Sequence, residues 1–344
     1  MNRRHFLQQG GLSLAGLALG PHAFAHLHPF EDQIIGHGDF RYKIDLHWGA
    51  LHSGYYPVQD CHEMVQDAQG RIILLTNHTR NNVIIYNKAG KLQEVWGTEY
   101  PGAHGLTLHQ EGQEEFLYIA DNSLHQIIKT TLKGQEVMRL DYPKMSGKYE
   151  KPDQYIPTET AIADNGDIYV ADGYGSQYIL HYNAKGELLN TFGGKGAGPE
   201  HFGNAHGIAI DQRDPANPCL LITDRMVNQL KRFSLEGKYL STIELPGAFI
   251  CRPVIHGEHV YLATIWSGDG SAGTGFISIL DKNNQLVSAP GGSAPRYEDD
   301  QLRPMYQALK VFHHPHDVCV DEDENLYVAQ WNSGQTYPIK LYRV

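Results

Sequence analysis

The chain has 344 residues, and its 28 Lys and Arg against 39 Asp and Glu give a formal net charge of −11. This acidic balance, without a basic cluster, argues against nucleic acid or an anionic membrane as a partner. The 36 Gly and 17 Pro residues suit many turns, so we expect one all-β domain.

The first residues have the features of an export signal. Arg3 and Arg4 precede an apolar run over residues 12–19 and the sequence AFA at residues 23–25. The run is too short to cross a bilayer, and the order is typical of a twin-arginine signal peptide with its cleavage site. We therefore predict that residues 1–25 are a signal peptide for the twin-arginine export machinery. Residues 26–344 are then expected to form a single domain, monomeric, in the periplasm or secreted.

A short motif recurs along the rest of the chain. It reads AHGL at residues 103–106, AHGI at 205–208 and PHDV at 315–318, and each copy opens an apolar strand that is followed by a turn and a second strand. Weaker copies complete the set, and the equivalent positions are His62, His104, Thr158, His206, Cys251 and His316. Four short strands in units of roughly 40–50 residues are typical of propeller blades. The sequence therefore predicts a six-bladed β-propeller.

The last copy of the motif leads to a blade with too few strands before the chain ends at Val344. An alternating segment, Phe40–Trp48, lies ahead of the first blade and has no blade of its own. Because an unpaired strand edge invites aggregation, we predict that Phe40–Trp48 pairs within the last blade and closes the ring.

The first strand of each propeller blade lines the central channel. His104, His206 and His316 fall on blades two, four and six, roughly 120° apart in a six-bladed ring. Three converging imidazoles match the open arrangement of catalytic zinc sites. We therefore predict a metal ion on these three residues, with a preference for zinc, although neutral imidazole also suits other borderline metals. The alternative is that they are channel histidines bonded to water. His62 is a fourth channel histidine, and it is a ligand, a support for a ligand, or neither.

Four local motifs carry a resemblance to a known family. They are HGL at residues 104–106 with LHQI at 124–127, PTE at 157–159 with DGYG at 172–175, GPEHFGNAHGIA at 198–209 with TDR at 223–225, and PHD at 315–317. In these motifs the chain resembles the peptidylglycine α-hydroxyamidating lyase family, which consists of propellers of NHL-type repeats. The resemblance covers about residues 58–344 and implies the same zinc ligands that the repeat spacing selects.

The resemblance also implies catalytic residues. The catalytic tyrosine of the family matches Tyr174, and its active-site arginines match Arg225 and, in the first-blade turn, Arg80. His78 competes with Arg80 for that position. One departure is Gly175, which stands where the family has a disulfide-bonded cysteine.

The resemblance further implies a calcium ion. Its ligands would be the backbone carbonyls of Met64 and Leu106 and the carboxylate of Asp317, which are the hard oxygen donors that calcium prefers. Asp317 also has an alternative interpretation as a carboxylate that caps a turn.

We therefore expect an exported zinc-dependent lyase that cleaves a small-molecule or peptide substrate of the peptidyl α-hydroxyglycine type into an amide and glyoxylate. Tyr174, its pKa lowered by nearby cations, would act as general base. Arg225, with Arg80, would hold the substrate carboxylate. The alternatives are a non-catalytic NHL propeller that binds a peptide or protein partner, and a propeller hydrolase of the lactonase type.

Overall fold

The structure is a computed structural model, and it describes Phe30 and residues 33–344. The predicted signal peptide, residues 1–25, lies outside the described residues and stays a prediction. Within the described part of the chain, no helix combines the length and the apolar character needed to span a membrane.

Six antiparallel sheets form the blades of an all-β propeller, which confirms the predicted fold. The chain first forms β1 (Ile34–His37) and β2 (Phe40–Asp45). Blades one to three then contain β3 (Cys61–Gln66), β4 (Ile72–Thr76), β5 (Val83–Tyr86), β6 (Leu92–Trp96), β7 (Ala103–Glu111), β8 (Glu114–Asp121), β9 (Gln126–Thr131), β10 (Glu136–Leu140), β11 (Glu159–Ile162), β12 (Ile168–Ala171), β13 (Tyr178–Tyr182) and β14 (Leu188–Gly193).

The second half of the ring repeats this pattern. Blades four and five contain β15 (Ala205–Asp211), β16 (Cys219–Asp224), β17 (Gln229–Ser234), β18 (Tyr239–Glu244), β19 (Ala248–His256), β20 (His259–Ser267), β21 (Phe276–Leu280) and β22 (Leu286–Ser288). A small hairpin of β23 (Tyr297–Glu298) and β24 (Gln301–Leu302) precedes blade six, which contains β25 (Pro315–Val320), β26 (Leu326–Gln330) and β27 (Ile339–Arg343). Short 3₁₀ turns span Lys144–Ser146, Pro152–Gln154 and Arg225–Val227.

The ring closes by pairing the two ends of the described chain. Strand β2 lies antiparallel to β27, with Tyr42 opposite Arg343 and Ile44 opposite Leu341. This pairing confirms the predicted closure. Strand β1 pairs with the outer side of β2, so blade six has a fifth strand that the sequence analysis did not predict.

The closing strand is shorter than predicted, because it ends at Asp45 and not at Trp48. Trp48 lies in the turn that follows, where its indole N–H donates to the Lys88 carbonyl at 2.9 Å. Its ring packs against those of Tyr86 and Tyr327. The buried Trp48 side chain therefore joins blade six to blade one.

The blades are buried on both faces near the middle of each sheet. All five residues of β4 are buried, whereas the outer strand β6 is only partly so. A sheet covered by neighbours on both sides needs a nearly continuous apolar strand, and the second strand of each blade has that composition. The apolar core consequently lies between adjacent blades, around the channel.

The inner strands carry a bulge at the histidine positions. The pairing register shifts between Cys61 and Glu63, Ala103 and Gly105, Ala205 and Ile208, and Pro315 and Asp317. A comparable shift in blade five encloses Cys251 and Arg252. A β-bulge bends the strand and redirects its side chains, so these strands turn neighbouring polar residues toward the channel.

Candidate metal centre and active site

Four imidazoles meet at one end of the channel. His62, His104, His206 and His316 are all buried, with between 1% and 5% of each residue exposed. The ring centroids of His104, His206 and His316 lie 4.8–5.0 Å apart, and that of His62 lies 4.7 Å from His104. The structure therefore brings together the three predicted zinc ligands and the fourth channel histidine.

Backbone carbonyls orient two of these rings. Nδ1 of His104 lies 2.8 Å from the Thr158 carbonyl, and Nδ1 of His316 lies 3.0 Å from the His62 carbonyl. Because a carbonyl only accepts, both Nδ1 atoms carry the proton and each Nε2 keeps its lone pair. A hydrogen bond of this kind, on the ring nitrogen that does not bind metal, commonly fixes a metal-binding histidine.

Burial keeps the four rings neutral. It lowers the pKa of His62 to about 3 and lowers the pKa of His104, His206 and His316 well below the usual value, and repulsion between neighbouring rings and Arg225 adds to this for these three. A neutral imidazole is the form that binds a metal ion.

Several ring nitrogens have no hydrogen-bond partner among the described residues. They are Nδ1 of His62, Nδ1 of His206 and Nε2 of His316. An unsatisfied buried polar atom costs about 1–3 kcal/mol, so a cluster of them calls for an explanation. A metal ion would give a partner to the lone pair of each ring that binds it.

Among the described residues, two sets of three side chains place their donor atoms within 4.8 Å of one another. One is His62, His104 and His316, and the other is His206, Cys251 and His316. His316 belongs to both sets. Imidazole nitrogens and a cysteine sulfur are the donors that zinc prefers, so the residues present fit a zinc ion.

The Tyr174 hydroxyl lies between two of the rings. Its oxygen is 3.1 Å from Nε2 of His104 and 3.1 Å from Nε2 of His206. Tyr174 reaches this place because β11 and β12 pair with Glu159 opposite Ala171. The turn after β12 therefore lies at the same end of the channel as the histidines. The residue as a whole remains 39% exposed, so it borders both the histidine cluster and the solvent.

The described residues do not lower the pKa of Tyr174 as predicted. Burial raises the pKa of its hydroxyl, and the positive charge of Arg225 only partly opposes this. Tyr174 is accordingly a neutral phenol when only these protein groups act on it.

Arg225 is buried beside Tyr174. It begins the 3₁₀ turn after β16, and 6% of it is exposed. Its guanidinium carbon lies 5.7 Å from the centre of the Tyr174 ring and 5.5 Å from that of Trp266. Among the described residues its Nε has no hydrogen-bond partner. A buried guanidinium between two rings and with a free N–H is well suited to bind an anionic group of a ligand.

Arg80 does not join this group. It is exposed, and its backbone N–H donates to Nδ1 of His78 at 3.2 Å. Within residues 33–344, no hydrogen bond or ion pair of its guanidinium connects it to Tyr174 or Arg225. The predicted role of Arg80 therefore stays a prediction, with His78 beside it in the same turn.

The predicted calcium ligands converge on an arginine. The Arg252 guanidinium donates to the Leu106 carbonyl at 2.6 Å, to the Met64 carbonyl at 3.0 Å and to the Asp317 carboxylate at 2.8 and 3.1 Å. Calcium needs six to eight oxygens at about 2.3–2.6 Å, and the guanidinium occupies the point where these oxygens meet. Arg252 supplies the positive charge at this place in the structure, and calcium on these ligands stays a prediction.

Sequence reasoning missed two contributors to the channel. Cys251 was placed at an equivalent repeat position but not predicted as a ligand, and Arg252 was not singled out. A lone arginine inside the apolar strand β19 is the signal that could have revealed Arg252. All four cysteines, Cys61, Cys219, Cys251 and Cys319, are free and buried.

Comparison with known proteins agrees with the fold. A family model described as a 6-bladed beta-propeller matches residues 131–275. The chain is also similar to Peptidyl-alpha-hydroxyglycine alpha-amidating lyase 1 of Drosophila melanogaster, with 28% identity over 281 residues, which cover 74% of this chain and 46% of that protein. This match confirms the resemblance to the amidating lyases, and the chain spans less than half of the relative's length.

Solved structures with similar folds include propeller enzymes. The structure of a streptogramin B lyase has a TM-score of 0.55 and 16% identity, covering 88% of this chain and 97% of that one. A gluconolactonase from Xanthomonas campestris has a TM-score of 0.59 and 12% identity, covering 91% and 96%. At these identities the likeness concerns the fold alone.

Proposed function

We propose that this protein is a zinc-dependent lyase that cleaves a peptidyl α-hydroxyglycine substrate into a peptide amide and glyoxylate. The observation that carries the proposal is the close approach of the Tyr174 hydroxyl to the imidazoles of His104 and His206, at 3.1 Å from each. Beside it lies the buried Arg225, whose Nε has no hydrogen-bond partner among the described residues. The similarity to an amidating lyase supports the choice of substrate.

The proposed zinc ligands are His104, His206 and His316. The neutral state of all three rings and the carbonyl hydrogen bonds that orient His104 and His316 support this assignment. His62 and Cys251 are further donors nearby. Zinc bound there would supply a Lewis acid close to the substrate oxygen and a positive charge close to Tyr174.

The proposed role of Tyr174 is to move a proton. As a phenolate it would take the proton from the substrate hydroxyl while the carbon–nitrogen bond breaks and the carbonyl of glyoxylate forms. The departing amide nitrogen needs one proton, and the Tyr174 hydroxyl can return it. Atoms balance without a co-reactant. Since burial raises the Tyr174 pKa, the phenolate requires positive charge nearby, and Arg225 acts in that direction.

The proposed role of Arg225 is to bind the substrate carboxylate. A guanidinium forms paired hydrogen bonds with a carboxylate, and these are stronger in a buried place. Arg225 is buried and has no ion pair among the described residues, so its charge is available to a ligand.

Export by the twin-arginine route remains part of the proposal. It is supported by Arg3 and Arg4 ahead of an apolar run. Replacing both residues with lysine in the full-length chain should leave the protein in the cytoplasmic fraction, whereas unchanged export would contradict this part.

The proposed reaction is tested with a synthetic peptide that ends in α-hydroxyglycine. The zinc-loaded protein should release glyoxylate and peptide amide in equal amounts, measured by a coupled glyoxylate assay and by mass spectrometry. A γ- or δ-lactone serves as the comparison substrate for the hydrolase alternative. Turnover of the lactone without cleavage of the peptide, or turnover of neither by a zinc-loaded protein, would contradict the proposal.

A further inference from the structure

A second charged cluster lies in the channel, on the same inner strands as the histidines. Its centre is Arg252 in β19, and its acidic members are Glu63, Glu159 and Asp317. At most 1% of each acidic residue is exposed, and 8% of Arg252 is exposed. Three carboxyl groups therefore surround one guanidinium where water has little access.

The guanidinium connects four blades. From blade five it donates to Met64 in blade one, to Leu106 in blade two and to Asp317 in blade six. Oxygens of Glu63 and Glu159 lie 3.3 and 3.9 Å from its nitrogens. These contacts hold inner strands that lie on different sides of the channel.

Two carboxylates of this cluster also accept hydrogen bonds from backbone N–H groups. The Asp317 carboxylate also accepts from the Met64 backbone N–H at 2.8 Å, and the Glu63 carboxylate accepts from the Leu106 N–H at 2.5 Å. Backbone donors therefore help to fix the carboxylates around the guanidinium. The result is an oxygen-lined cage of the kind that usually holds a cation.

The neighbouring strand leaves room for the arginine. A Cβ atom added at Gly207 would lie 2.6 Å from the Arg252 Cα and 2.8 Å from the Cys251 carbonyl oxygen. Any other residue at this position would push β19 away from β15. Gly207 thus allows the close approach on which the position of Arg252 depends.

From this geometry we propose that the Arg252 guanidinium replaces a divalent ion as the structural cation of the channel, so that the ring is held without calcium. A divalent ion in the same cage would meet the same carbonyls and carboxylates. Because the charge is part of the chain, it cannot be removed by a chelator. This inference is independent of the proposed reaction.

The first test uses the unchanged protein. Elemental analysis should find no calcium after purification in a calcium-containing buffer, and the Tm should be the same within about 1 °C in EGTA and in 5 mM CaCl2. About one calcium per chain, together with a lower Tm in EGTA, would overturn the proposal.

The second test removes the guanidinium. The variant Arg252→Ala leaves buried carboxylates without their cation, which should lower the Tm by on the order of 10 °C. Millimolar Ca²⁺ should restore at least half of that loss. The matched control is the double variant Arg252→Ala, Asp317→Asn. It also lacks the Asp317 carboxylate, so Ca²⁺ should not raise its Tm.

The outcomes are distinct. A Tm loss of less than 2 °C in Arg252→Ala, or a loss that Ca²⁺ does not reverse, would contradict a cation cage at this place. If Arg252→Ala does not fold, the proposal is tested by the calcium content of the unchanged protein and by the effect of EGTA on its Tm. The zinc content of the same samples shows separately whether the histidine site still binds its ion.

Discussion

The hydroxyl oxygen of Tyr174 lies 3.1 Å from Nε2 of His206. This contact joins a turn of blade three to the inner strand of blade four, so it depends on the packing of adjacent blades and not on local sequence. It places a group able to exchange a proton directly beside a candidate metal ligand.

Replacing Tyr174 with phenylalanine removes the hydroxyl and keeps the ring. We expect the rate of glyoxylate release to fall on the order of 10²–10⁴-fold, the usual range for loss of a general base. Zinc content should be unchanged, because Tyr174 is not among the proposed ligands. Tyr178→Phe, in the same blade, is the matched control and should keep its activity. A Tyr174→Phe variant with full activity would show that another group moves the proton.

Replacing His316 with alanine should empty the zinc site. His316 belongs to both sets of converging donors, so neither set survives without it. His62→Ala is the comparison variant, and it should retain about one zinc per chain because the three proposed ligands remain. Elemental analysis measures the zinc content of each purified variant. Zinc loss in His62→Ala with retention in His206→Ala would assign the ion to His62, His104 and His316.

Replacing Arg225 with alanine should weaken binding of the substrate carboxylate. Loss of a buried charged partner commonly costs 2–5 kcal/mol, so kcat/KM should fall on the order of 10²–10³-fold. A substrate with the carboxylate converted to an amide should be poor for the unchanged protein and equally poor for the variant. If the variant lost the same factor on both substrates, Arg225 would act through Tyr174 or the fold and not through the carboxylate.

The ring closure predicts that two isoleucines in neighbouring strands contribute differently to the free energy of unfolding. Ile44 in β2 is 3% exposed, whereas Ile34 in β1 is 50% exposed. Ile44→Ala should lower the free energy of unfolding by about 2–5 kcal/mol, and Ile34→Ala by less than about 1 kcal/mol. Chemical denaturation measures both. Equal effects would mean that β2 is not part of the core of blade six.

The sequence predicted the fold well because each blade repeats the same pattern of short apolar strands. The pairing of β2 with β27 followed from the missing strand of blade six. Strand β1 was not predicted, since Ile34–His37 is short and pairs only at the outer edge. The end of β2 at Asp45 depends on the packing of Trp48 against blade one, which no local pattern reveals.

The site was predictable where it follows the repeat and not where it depends on neighbouring blades. His104, His206 and His316 share one repeat position, and the ring brings them together. Arg252 could not be placed, because its partners come from blades one, two and six. The direction of the Tyr174 pKa shift depends on how far burial outweighs Arg225, and this balance follows only from the packed structure.

The most direct test of the proposed reaction is a zinc titration of the metal-free protein. After chelation and removal of the chelator, the protein should release no glyoxylate from an α-hydroxyglycine peptide. Activity should then rise linearly with added zinc and stop rising at one equivalent per chain. Full activity of the metal-free protein, or no activity at any zinc level, would contradict the account.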